Sequence, residues 1–213
     1  MNIVQTINYK NLEYTILAVE QECIIHPIAL GYLPYSSASL QCSFSSHFCI
    51  EDYQLLLNSL DIVTNEARNI GGMHMESYAG RHSFEEFPVS YNGAILIGTN
   101  IVKEYYLKGS TPAYFSYQKL IELVFENGTL ITTVDQSRAM LRIRKNLELG
   151  LRSLDNKRDK RCITRFMNSV LVGDYKPILL QYNIMKYIKD MKEDYSVASL
   201  SKGLISKNPG EEL

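Results

Sequence analysis

The chain has 213 residues, 46% hydrophobic and 21% charged, with a net charge of −1, fifteen tyrosines and no tryptophan. This suffices for one large domain, or a domain with a helical appendage, that buries roughly 70% of its unfolded surface, and the composition excludes wholesale disorder. No apolar run reaches the ~18 residues of a membrane span, and the start lacks the basic and apolar regions of a signal peptide, so the expected compartment is cytoplasmic and reducing.

Cys23, Cys42, Cys49 and Cys162 form no CxxC pair and read as thiols.

In chain order, the first 48 residues alternate and favour β-branched and aromatic types. NIVQTINY, LEYTILAV, CIIHPIAL and SLQCSFSSHF are expected as strands of a mostly antiparallel sheet, with Pro27 and Pro34 at strand edges or ends. From Ile50 the spacing changes: Tyr53, Leu56, Leu57, Leu60, Val63, Ala67 and Ile70 predict one long amphipathic helix that Gly71-Gly72 stops. GGMHMESYAGRHSFEEF (71–87) then reads as a polar connection. GAILIGTNIVKEYYL reads as one or two strands, and YFSYQKLIELVFENG, after Pro112, as a short helix closed by Asn127-Gly128.

TLITTV is expected as a strand, and Asp135 as the cap of a helical region that continues to Asp194. Met140, Ile143, Leu147, Leu151 and Leu154 mark one helix; Cys162, Phe166 and Val170 mark a second. A third starts at Pro177 and runs through Ile184 and Ile188. The fold class expected is therefore α+β, an N-terminal mostly antiparallel sheet with one long amphipathic helix followed by a helical C-terminal region. Its divisions are a sheet domain over 1–134, helices over 135–194 and a flexible tail over 195–213. In element order alone, this layout resembles small viral assembly proteins such as matrix proteins.

The charge is segregated. Arg138, Arg142, Arg144, Lys145, Arg152, Lys157, Arg158, Lys160, Arg161 and Arg165 face only Glu148, Asp155 and Asp159 between residues 138 and 165. The segment is thus about +7 and the remainder near −8, an excess that would concentrate nucleic-acid phosphates or an acidic membrane surface around it. No aromatic residue stands free among these positions to stack bases, so backbone contact with steep salt dependence is the expected mode.

The candidate catalytic group is His74, Glu76, His82 and Glu85, with Glu86 beside them. A histidine oriented by a carboxylate can act as a general base, and two histidines with a carboxylate can hold a metal. The spacing matches neither HExxH nor HxH. Cys23 and His26 with Cys42, His47 and Cys49 are a weaker zinc set, because each pair would point to opposite faces of a strand. No P-loop, GxGxxG or GxSxG motif occurs, and neither cofactor nor metal is expected.

Tyr105, Tyr106, Tyr114 and Tyr117 are the candidate protein interface, for a partner or for self-association. The leading expectation is a non-enzymatic binding or assembly protein that engages an anionic partner. Its alternatives are a small hydrolase or metal-dependent enzyme using residues 74–86, and an inhibitor or immunity-type module.

Overall fold

The computed structural model describes residues 5–21, 23–30, 41–66, 76–105, 112–177 and 181–183. Its strands are β1 (Thr6–Tyr9), β2 (Leu12–Val19), β3 (Gln41–Glu51), β4 (Gln54–Glu66), β5 (Glu76–Pro88), β6 (Gly93–Ile101), β7 (Tyr117–Glu126), β8 (Thr129–Asp135), β9 (Lys176–Pro177) and β10 (Gln181–Asn183). Two helices, α1 (Ser137–Glu148) and α2 (Lys157–Val170), lie between β8 and β9.

All ten strands join one mixed sheet in the order β10-β3-β1-β2-β6-β7-β8-β4-β5, with β9 beside β2. β1 runs parallel to β3, and the other pairings are antiparallel. Because β3 also pairs with β4, the path returns on itself. The sheet is a roll, and β4 meets β8 through one ladder pair, Gln54 with Thr129.

Three tight hairpins set the register. Lys10-Asn11, Asp52-Tyr53 and Asn127-Gly128 each place two successive residues at positive φ, the two-residue turn whose twist matches that of the flanking strands. Inside the roll, alternate residues make the core, among them Ile7, Tyr14, Phe48, Leu57, Ile97 and Leu123. A second cluster, Leu96, Leu120, Phe115, Met140, Ile143 and Ile163, glues the helices to the outer face of β6 and β7.

The expected α+β layout, with its long amphipathic helix and helical C-terminal region, is overturned: the described residues are mostly one large mixed sheet, and the two helices among them are followed by more strand. Over 54–66 the predicted helix is the strand β4. A bulge between Leu57 and Ser59 inserts a residue, so the core-facing positions are Leu55, Leu57, Leu60 and Ile62. Spacings of two, three and two imitate a helical stripe. The predicted helix after Pro112 is β7, and Asn127-Gly128 is a hairpin turn instead of a helix stop.

The supposed connection over 71–87 contains β5, paired along β4. CIIHPIAL gives a 3-10 turn at Pro27–Leu30 where a strand was expected. Pro177 ends the two-residue β9 and does not open a helix. The likeness to viral assembly proteins rested on an element order that the chain does not have. Pro34, Ala67, Ile70, Gly71-Gly72, the third helix beyond residue 183 and the tail over 195–213 lie outside the described residues.

The segment leaving α2 is held to the sheet by two carboxylates. Glu122 of β7, 0% exposed beneath the helices, accepts hydrogen bonds from Gln136 Nε2 (2.6 Å), Val172 N (2.7 Å), Gly173 N (3.2 Å) and Tyr175 Oη (2.7 Å). Glu20, just past the end of β2, accepts from Ala94 N (2.8 Å) and Asp174 N (3.0 Å).

Candidate functional site

The two helices carry the basic segment. Asp135 Oδ1 accepts from Ser137 N at 2.8 Å and starts α1; Asn156 Oδ1 accepts from Arg158 N at 2.8 Å and caps α2. Ile163 is buried on the sheet, with Cys162, Phe166, Met167 and Val170 half-buried beside it, so the apolar positions fix which way α2 faces. Lys157, Arg158, Lys160, Arg161 and Arg165 all point away from that face and are exposed.

The one acid within α2, Asp159, lies toward the α1–α2 loop, where it accepts from Arg152 Nη1 (2.8 Å) and Ser153 N (3.0 Å). Those two bonds hold its carboxyl below the usual carboxylate range. The outward stripe of α2 therefore carries five cations and no acid. On α1, Arg138, Arg142 and Lys145 are exposed at helical spacing, and Arg142 rests over the Phe166 ring at 5.4 Å, which joins the two helices' basic surfaces.

Arg144 is the exception among the ten. It is buried, and its Nη1 donates to the carbonyls of Phe115 (2.8 Å) and Tyr117 (2.7 Å), so it ties α1 to the start of β7 and is no surface ligand. Arg152 is exposed but already paired with Asp159. Tyr117, buried, and the half-buried Tyr105 and Tyr114 contribute to packing; Tyr105 stacks edge-on against Phe115 at 5.9 Å. Tyr106 lies outside the described residues. Three of the four tyrosines expected at an interface thus build the molecule's own interior edge.

No family model, no curated protein and no solved structure matches this chain. Function has to be argued from its own residues.

The His/Glu stretch is dispersed along a strand. His82 stands in β5 opposite Leu60, Glu85 and Glu86 are exposed near the β5 bulge, and Glu76 begins the strand opposite Glu66. His74 lies outside the described residues. Among the described residues, no three His, Cys, Asp or Glu side chains converge as metal ligands.

The weaker Cys/His set separates as well. His26 is buried against Phe44, while His47 bonds along the opposite side of β3.

A polar chain of the kind local motifs do not reveal crosses four strands. Thr6 Oγ1 lies 2.9 Å from His47 Nδ1, His47 Nε2 lies 3.2 Å from Asp61 Oδ2, and Arg81 donates to both Asp61 oxygens at 2.7 and 2.8 Å. The order hydroxyl, imidazole, carboxylate is that of a nucleophile relay. Thr6, however, is in a strand paired on both sides, with Thr15 and with His47, so the ladder takes up the amides an oxyanion hole would need. Both Asp61 oxygens are also committed to Arg81. The chain works as a cross-strand ladder, in which Arg81 chiefly, and His47 next, hold the Asp61 carboxyl below its usual range. Four partners this far apart leave no local sequence signal.

Cys49 lines a groove of about 850 Å³ between β8 and the first two hairpin turns. Its thiol donates to Asn58 Oδ1 (3.0 Å) and more weakly to Glu51 Oε1 (3.5 Å); burial first, then Glu51, pushes its pKa up to about 11. Two units above an ordinary thiol means a thiolate fraction about 100-fold lower. Alkylation followed site by site at mildly alkaline pH is expected to modify Cys49 about 100-fold more slowly than free cysteine. A rate equal to that of free cysteine would exclude this environment.

Proposed function

We propose that the chain is a non-enzymatic binding protein that holds an anionic, phosphate-bearing partner against α2. The observation that carries this reading is the outward stripe of that helix, Lys157, Arg158, Lys160, Arg161 and Arg165, all exposed, while its acid is turned aside to Arg152. Lys157, Arg158 and Lys160 stand in the first turn, where the helix macrodipole disfavours positive charge. A cation placed for solubility alone would do better at the other end. Charges set against the local preference raise the potential over one face, which is what an anionic partner requires.

The net charge of −1 conceals this, because the acids are spread over the rest of the molecule. Retention on heparin tests the reading. If all five cations engage, affinity falls roughly 10²- to 10³-fold between about 50 and about 200 mM salt. The double reversal Arg158→Glu/Arg161→Glu is expected to abolish retention with the fold intact by circular dichroism. Retention indifferent to salt, or unchanged in the double variant, would reject it.

A further inference from the structure

The loop between the two helices carries side chains that phosphate binding does not use. Leu149 is 71% and Leu151 65% exposed, side by side at the end of the helical pair where α2 begins. Between them Gly150 takes φ +67°, and a Cβ there would meet nothing within 4 Å, so the loop projects into open space.

Its four successive amides are nevertheless bonded. Leu149 N donates to Lys145 O (3.0 Å), Gly150 N to Leu147 O (3.1 Å), and Leu151 N and Arg152 N both to Asn146 O (2.9 and 3.2 Å). A tip whose amides are already bonded can leave water without stranding a donor, which is the condition for entering an apolar medium.

Lys145 stands in the last turn of α1 before the leucines, and Lys157, Arg158, Lys160 and Arg161 open α2 after them, all exposed. Of the nearby acids, Asp159 is neutralised by Arg152, Glu148 Oε1 accepts from the Tyr105 hydroxyl at 3.3 Å, and Asp155 is open. Cations therefore dominate the tip. Exposed aliphatic side chains give nothing to a nucleic-acid backbone, and base stacking needs aromatic rings that the tip does not have. Aliphatic anchors ringed by lysine and arginine match a surface with anionic headgroups above hydrocarbon.

We infer that the α1–α2 tip docks on an acidic membrane surface, with Leu149 and Leu151 entering the headgroup boundary while Lys157, Arg158 and Arg161 contact lipid phosphates. The inference rests on the anion-binding reading of α2 and names its partner. The protein lies on the surface: among the described residues no helix is long and apolar enough to cross a membrane.

Because the chain contains no tryptophan, Leu149→Trp installs a single indole reporter at the tip. The full chain should sediment with phosphatidylcholine vesicles containing phosphatidylserine and stay in solution with phosphatidylcholine alone. The indole emission should shift to the blue with the acidic vesicles and stay unmoved by RNA. Leu149→Ser/Leu151→Ser should weaken vesicle binding about tenfold or more while heparin retention, which also reports an intact fold, is unchanged.

Binding to heparin or RNA but not to acidic vesicles would overturn the membrane inference and leave the anion-binding reading standing. So would an unmoved indole, or a leucine variant that binds vesicles like the parent. Failure to bind heparin, RNA and acidic vesicles alike would remove both.

Discussion

Glu122→Ala is expected to lower the stability of the protein by about 4 kcal/mol, the largest effect of any single polar substitution considered. The side chain is wholly buried, and all four of its partners are donors: the Gln136 amide, two backbone N–H groups and the Tyr175 hydroxyl. Truncation removes the acceptor these donors share; Gln136 Nε2 keeps its bond to Val170 O (2.6 Å), and each buried donor left without a partner costs about 1–3 kcal/mol. Some rewetting along the edge of the segment keeps the total below the simple sum.

Glu122→Gln should recover about half, because one oxygen survives while the new NH₂ meets donors. Urea unfolding measures both, and amide hydrogen exchange at Val172 and Gly173 localises the effect. A loss under about 1 kcal/mol for the alanine variant would show that the segment after α2 does not depend on this carboxylate. Tyr175 offers an independent check: burial and then its bond to Glu122 raise its pKa far beyond the ordinary phenol range, so its ring should resist ionisation until the protein unfolds.

The second large effect is acid sensitivity centred on His26. Its ring is 4% exposed and meets Phe44 edge-on at 6.2 Å; burial pushes its pKa down to about 4. The unfolded chain takes up this proton near the ordinary value of about 6.5, the folded chain only near 4. Stability from the neutral ring is therefore fully present above about pH 6.5 and is lost as pH falls to 4, by about 3 kcal/mol at ~1.4 kcal/mol per pH unit.

Asp61, held low chiefly by Arg81, acts in a lower window: its contribution is present above the ordinary carboxylate pKa and disappears only as pH falls through its depressed folded value. His26→Leu should thus flatten the stability profile between pH 6.5 and about 4 and leave the steeper loss below that untouched. Parallel profiles for the two proteins would rule out His26 as the titrating group.

The parts of this fold that were legible in the sequence are those where local preference and final structure agree. Alternation around Lys10-Asn11 marks the first hairpin, and Asp135 sits where the start of α1 needs an acceptor. β4 was illegible because its bulge changes the spacing of core residues from two to three in mid-strand, which apolar periodicity alone cannot tell from a helix. Asn127-Gly128 could have corrected the reading of β7, since the same dipeptide that ends a helix is also the preferred two-residue hairpin turn.

For the basic face of the helices, the cations were visible in the sequence, but their orientation was not. Which of ten basic residues points inward depends on what α1 packs against, and only the carbonyls of Phe115 and Tyr117 show why Arg144 is lost to the surface. Leu151 was read as part of a helical stripe; it is exposed because α1 ends at Glu148, before that position. The Thr6 to Arg81 ladder had no sequence signature at all.

The single pair that closes the roll has a consequence for synthesis. Gln54 and Thr129 are 75 residues apart. At about 5–20 residues per second a ribosome needs roughly 4 to 15 seconds to deliver the second after the first. Until β8 arrives the wall opposite Phe48, Leu55 and Leu57 is incomplete, because Leu130 of that strand belongs to the same core. A factor that shields apolar strands should therefore bind nascent chains that stop short of β8 more than chains in which β8 has cleared the exit tunnel.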